Sequence, residues 1–505
     1  MRAAIAQADR MNSIAPHPTL RRQRAHLRAR IATVPRLSRG AGFWAVAFSF
    51  LALTAFSTAP SALYALYERQ EQLSSLTITI VYAVYSAGVV ASLLLAGHVS
   101  DWYGRRAVLI PALVLAGVAA LVFIAWMSLA GLLVARLLTG VALGAAVATA
   151  TAYIADLDAG PDGSVTRRSG IVATVANIGG LALGPLIAGV LAQYAPAGLT
   201  LPYVVLLTAL LVATVAVAVS PEGRQPVQPR PSYRPQRPRA PAQARGQFLA
   251  ATTGAFLIFA VGGLFAGLAG AFLAGPLHHP SAALTGLAIF LNFGAGVLVQ
   301  TTTTRWSASK LIAAGLAPTI IGLIVLVASA WTSPASLALF LIGGTVVGAG
   351  GGAILRGSLT VVISTGAVAD RAGALATFFT AAYLGLALPV LGLGIALQFL
   401  TPRVTLLIFA VAVGTGILAA APFLARRSGT GEPDQGLRPA RWTGERSSVD
   451  PTPHQARRAS KRETSMRQSP TQPRRLASLP RLNTAWKALL WVSVIALAVV
   501  PFPWW

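Results

Sequence analysis

The chain has 505 residues, 55% of them apolar and only 11% charged, with a mean hydropathy of +0.66. A soluble domain carries about a quarter charged residues, so this composition excludes the soluble classes and leaves a multi-span membrane protein, for which the lipid bilayer is the first partner. The formal net charge of +26 would suggest nucleic acid in a soluble chain, but these arginines lie in tails and short connections between apolar runs, and no nucleic-acid partner is expected.

Residues 1–41 are polar and Arg-rich. The apolar run that follows is too long for the core of a cleavable signal, and a basic cytoplasmic tail is preferred to an organellar transit peptide. About 20 apolar residues cross a ~30 Å hydrocarbon core as a helix. Twelve such runs are predicted, at 42–66, 77–98, 107–127, 130–154, 170–192, 201–219, 248–274, 284–304, 310–330, 335–357, 372–397 and 404–424. Residues 220–247, rich in Pro, Arg and Gln, read as a solvated linker dividing six spans from six. The expected domains are thus bundles at 42–219 and 248–424.

Charge sets the orientation. With the N-terminus inside, the inner segments up to residue 425 hold 23 Lys and Arg, while the outer loops hold Arg69 and Arg403. The positive-inside rule then places the tail and the linker in the cytoplasm. A short echo joins the halves: Arg168-Ser-Gly170-Ile-Val-Ala173-Thr174 matches Arg371-Ala-Gly373-Ala-Leu-Ala376-Thr377, and each leads to Gly-Leu-Ala-Leu and a proline, Pro185 or Pro389. Two stacked six-helix repeats would space such segments this way. Residues 425–485 are a basic tail of disordered composition, with a weak attraction to anionic lipid. Residues 486–505 are a short hydrophobic segment with tryptophans at both ends, read equally as a thirteenth helix or as an interfacial element.

Between the second and third runs lies Gly97-His98-Val99-Ser100-Asp101-Trp102-Tyr103-Gly104-Arg105-Arg106, too polar for hydrocarbon and therefore a tight turn at one membrane face. Its glycines permit turning and close approach, and Asp101 can accept from a neighbouring helix N-terminus or pair with Arg105. The spacing Gly-x-x-x-Asp-x-x-Gly-Arg-Arg resembles the signature loop of the major facilitator superfamily of secondary transporters. The resemblance covers about residues 40–425 and implies an all-α fold of twelve transmembrane helices in two pseudo-symmetric six-helix bundles. It also implies that Gly97, Asp101, Gly104, Arg105 and Arg106 form a conformational latch. The aspartate of that latch would meet the start of helix 11 and an acidic residue ending helix 4, for which Asp156 is the match and Asp158 the second choice. The equivalent turn after span eight, Thr301 to Lys310, keeps Arg305 and Lys310 but has no aspartate or glycine, so the latch is one-sided.

Arg136, about seven residues inside span four, begins Arg136-Leu-Leu-Thr139-Gly140. An arginine at that depth costs several kcal/mol unless it meets water or a partner, so it is expected to face a central cavity, with structural glue as the blander reading. Arg-x-x-x-Gly here resembles the superfamily's helix 4 motif, linked to proton coupling or anion binding. In span five, Gly180-Leu-Ala-Leu-Gly184-Pro185-Leu-Ile-Ala188-Gly189 puts small residues four apart and a helix-bending proline after them. It resembles the Gly-x-x-x-Gly-Pro-x-x-Gly-Gly motif of the antiporter, largely drug-efflux, branches, with Ala188 in place of the first of the last two glycines.

Tyr82, Tyr85, Asn177, Asn292, Gln300 and Tyr383 are the polar residues inside spans that could line a substrate cavity. No span holds a catalytic constellation, His98 is alone, and His278-His279 read as a solvated turn, so neither an enzyme nor a metal or other cofactor is expected. None of the fourteen carboxylates falls in the middle of a span, so any coupled protons would pass through Asp101 or Glu68 near the ends. The reading is a secondary active transporter of the cell membrane that exports a small, neutral or lipophilic solute by alternating access, coupled to protons and not requiring oligomerisation. The alternatives are an importer or facilitator of sugars or small organic solutes, and a non-transporting membrane scaffold or receptor.

Overall fold

A computed structural model describes residues 37–96, 99–160, 164, 166–223, 244–365 and 371–425. The N-terminal tail to residue 36, Gly97 of the turn, residues 224–243 of the linker, the basic tail and the hydrophobic segment 486–505 lie outside the described residues. Among those described, twelve helices are long and apolar enough to cross a membrane: α1 Arg39–Gln70, α2 Ser75–Ala96, α3 Arg105–Ala125, α4 Leu129–Asp158, α5 Arg167–Tyr194, α6 Leu201–Val219, α7 Arg245–Ala274, α8 Ala282–Thr302, α9 Ala308–Trp331, α10 Leu337–Ser364, α11 Gly373–Ala396 and α12 Pro402–Phe423. Each of the twelve apolar runs coincides with one of them to within four residues at either end, except that α10 runs on to Ser364, well past its predicted end at 357. No strand occurs among the described residues.

Local chemistry explains where these rods stop or bend. Ser38 caps α1 by accepting from the Ala41 N–H, and Ser281 and Ser307 cap α8 and α9 in the same way. Pro60 lacks an N–H, so α1 divides into Arg39–Thr58 and Pro60–Gln70. A π turn, Val175–Gly179, interrupts α5 ahead of Pro185.

The helices form two six-helix bundles, α1–α6 and α7–α12. In the first, α4 packs between α2 and α3 while α1 lies against α4, α5 and α6; in the second, α10 packs against α8 and α9 while α7 lies against α11 and α12. The halves meet along α5 with α8, and along α2 with α11. Small residues set these distances. A Cβ on Gly140 would stand 2.1 Å from the Tyr85 carbonyl oxygen, so α4 and α2 touch backbone to backbone. Gly140, expected to serve the cavity or coupling, stands at the crossing point of these two helices.

Candidate functional site: a cavity between the halves

Between the bundles lies a cavity of about 860 Å³, within the ~300–1,000 Å³ typical of small-molecule sites. Its deep wall is aromatic. Tyr82 and Tyr85 come from α2, and Phe259 of α7 meets Tyr383 of α11 edge to face with centroids 5.7 Å apart. Asn177, Asn292 and Gln300 also border it, so the structure brings all six sequence-selected polar residues to one cavity. Asn292 donates to the Gly344 carbonyl at 2.9 Å, tying α8 to α10.

Among the described residues, the exposed part of the cavity lining gathers at one end. Exposed Arg167, Gly170, Thr360 and Ile363 mark its mouth, together with Asp101 and Arg356. At the other end the halves are in contact. Gln193 accepts from the Ala282 N–H at 3.1 Å, a Cβ on Gly189 would stand 2.2 Å from the Ala282 carbonyl oxygen, and one on Gly270 would stand 3.2 Å from the Ala65 Cβ.

Beside the mouth, a charged network holds the first half together. Gly104 takes a left-handed φ of 96°, which turns the chain from the short helix Val99–Tyr103 into α3. The Arg105 guanidinium, almost fully buried, donates to Asp101 Oδ1 at 2.6 Å, to Ser100 Oγ at 2.9 Å and to Asp156 Oδ2 at 2.9 Å. Arg39 donates to the Asp156 carbonyl at 2.7 Å, and Arg106 to the Ala218 carbonyl. Asp158 accepts from the Thr166 hydroxyl. The Asp101 side chain is 53% exposed and bonds Arg105 alone among the described residues. In this conformation Asp101 reaches Asp156 through Arg105, and every described partner lies in the first half; residues 366–370 and the side chains of Arg371 and Ala372, the start of helix eleven that it was expected to meet, lie outside the described residues.

Arg136 also departs from expectation. Its side chain is wholly buried and does not border the cavity. It donates to the Ser57 carbonyl at 2.6 Å, where α1 breaks, and to the Tyr64 hydroxyl. Its guanidinium lies 5.1 Å from the centroid of Tyr64 and 5.3 Å from that of Tyr85. Tyr85 touches both this guanidinium and the cavity, so a tyrosine cage, not water, makes the buried charge tolerable. In α5, a Cβ on Gly180 would strike Thr54 and one on Gly184 the Ala55 carbonyl, both in α1, while Gly189 and the Pro185 carbonyl face α8 of the other half.

Sequence reasoning missed four contributors. Glu222, at the entry to the linker, accepts from the Arg105 and Arg106 N–H groups at 2.6 and 3.3 Å, capping α3. No local motif signals it, because the cap comes from 117 residues away. Tyr67 and Tyr203 join hydroxyls at 3.1 Å beside the Arg136 cage. Arg356 of α10 reads in the sequence as a loop charge only, yet it donates to the Gln300 carbonyl at 2.6 Å and borders the cavity.

Two paired six-helix bundles around a cavity that opens at one end define a carrier that moves small molecules across a membrane. Residues 43–300, just over half of the chain, match the model of the Major Facilitator Superfamily, and the chain belongs to that superfamily: it is a multi-pass membrane transporter and not an enzyme. The Bacillibactin exporter of Bacillus subtilis (strain 168) is 30% identical over 133 residues, which span 25% of this chain and 33% of that protein. Among solved structures, the peptide transporter POT in complex with alafosfalin aligns with a TM-score of 0.60 at 14% identity, covering 78% of this chain and 96% of its own. The nucleoside transporter NupG aligns at 0.58 with 12% identity, covering 75% and 99%. The human organic anion transporter MFSD10 aligns at 0.57 with 17% identity, covering 77% and 100%. At these identities the structures share the fold.

Proposed function

We propose that this transporter exports a small lipophilic solute across the cell membrane in exchange for protons, by rocking its two bundles about the central cavity. One observation carries the reading: the cavity is open at the Arg-rich end and sealed between the halves at the other. With the basic connections cytoplasmic, as their 23 Lys and Arg against two on the other side favour, the cavity stands ready to load from inside. The N-terminal tail and the linker then lie in the cytoplasm, joining bundles at 42–219 and 248–424.

The largely apolar wall suits a lipophilic compound, and the span-five glycine–proline motif and the partial likeness to an exporter favour outward movement. Asp101 and its Arg105–Asp156 partners would tighten or release the first half as the bundles tilt. Uptake or facilitated passage is the second reading, favoured by the lack of a carboxylate in the middle of any described span.

The test is accumulation of a panel of lipophilic compounds in inverted vesicles, with the proton gradient present or collapsed. Export coupled to protons gives accumulation that disappears with the gradient. Accumulation that persists removes the antiport, and mere equilibration indicates a facilitator.

A further inference from the structure

The charges on the cavity wall do not balance. Four charged residues border it: Asp101, Arg105, Arg167 and Arg356. Arg105 is matched by Asp101 and Asp156. Arg167 and Arg356 have no carboxylate within ion-pair distance among the described residues.

These two cations come from opposite halves, α5 and α10, and both lie at the mouth. Arg167 is exposed and makes no side-chain hydrogen bond to a described residue. Arg356 is half-buried. Its guanidinium is aimed by the Gln300 carbonyl at 2.6 Å and the Thr304 carbonyl at 3.4 Å, which leaves its other N–H groups free to bind. A second observation points to the same spot: the Thr304 hydroxyl, on this wall, is buried and has no partner. A hydroxyl and two guanidinium groups on one cavity wall, neither guanidinium paired with a described carboxylate, form a donor set for an anion. Behind them the wall is apolar and aromatic, with Phe259, Phe293, Phe379 and Tyr383.

We propose that the substrates of this carrier are lipophilic weak acids, bound as monoanions, with the acid group between Arg167, Arg356 and the Thr304 hydroxyl and the apolar body against the aromatic wall. This rests on the transporter reading above and names the chemistry of its cargo. It also supplies a reason for the bundles to move. Two like charges facing each other resist closure of the mouth, and an anion between them removes the resistance. Loading then favours the closed form, because the anion binds it better than the open one.

The experiment uses the purified full chain and two probes of equal shape, 1-naphthylacetate and 1-naphthylacetamide, with binding measured by calorimetry. Charge-assisted bonds predict at least about tenfold tighter binding of the acid. Arg167→Gln should reduce that preference several-fold, and the double change with Arg356→Gln should abolish it, with acid affinity falling far more than amide affinity. Arg356→Lys should keep most of the preference, which separates charge from the capping of α8. Equal affinity for acid and amide, a preference that survives the double change, or binding of neither probe overturns the proposal. Equal affinity leaves the carrier reading standing. A carrier reading that fails while the acid site stands would show acid-selective binding with no flux of the acid in vesicles.

Discussion

Arg136 illustrates how one side chain can be read correctly for cost and wrongly for place. Its depth in an apolar run signals that something must offset the desolvation of a guanidinium. Which partner does so depends on Ser57 and Tyr64 of α1 and Tyr85 of α2, about fifty or more residues away. The same applies to Glu222, which caps α3 from beyond the far end of α6. Arg136→Ala removes two ring contacts, leaves the Tyr64 hydroxyl without its donor and opens a void, so it should cost about 3–5 kcal/mol. Arg136→Met keeps most of the volume and needs no desolvation, so its loss should be less than half as large. Thermal unfolding in detergent measures both. An equal loss would place the stability in the charge and not in the packing.

At the scale of helices, more was legible. Runs near 20 residues, separated by polar turns, can satisfy their backbones in hydrocarbon only as helices, which is why the twelve spans could be bounded from composition. Glycines four residues apart in α5 announced close packing, but not the identity of the neighbours. Gly180 and Gly184 turn to α1 in the same half, and Gly189 to α8 in the other. The π turn at Val175–Gly179 left no trace in the pattern, because one inserted residue changes no hydrophobic period that a nearly all-apolar helix displays. Gly184→Ala places a methyl 1.9 Å from the Ala55 carbonyl oxygen and must separate α1 from α5. It should lower stability by about 1–3 kcal/mol. Gly170, in the same helix, has open space where a Cβ would stand, with nothing within 4 Å. Gly170→Ala should therefore change stability by no more than about 0.5 kcal/mol, or raise it through helix propensity. Unfolding midpoints of the two variants, side by side, check this.

For the molecule as a whole, the seal between the halves decides which face the cavity serves. The natural chain has no cysteine, so an engineered pair reports without background. Ala65 of α1 and Gly270 of α7 lie across the sealed end, with 3.2 Å between the Ala65 Cβ and a Cβ built on Gly270. A disulfide needs about 3.5–4.5 Å between these atoms, a shift of a few tenths of an ångström. The double change Ala65→Cys and Gly270→Cys should cross-link on mild oxidation, stop flux in vesicles and recover on reduction. Unchanged flux with the cross-link complete would show that this seam does not open during transport.

Hydropathy and the composition of the linker marked twelve helices able to cross a membrane among the described residues, six on either side of the linker, because burying an unpaired backbone in lipid is so costly that apolar runs of this length form helices there. Only the tertiary structure decided that Arg136 sits behind the cavity and not in it, that Asp101 turns to Arg105, and that Arg167 and Arg356 share the mouth. The physical reason is that lipid is as apolar as leucine and gives one helix no preferred neighbour. Pairing is left to small residues, tyrosines and charges whose partners lie far away in the chain.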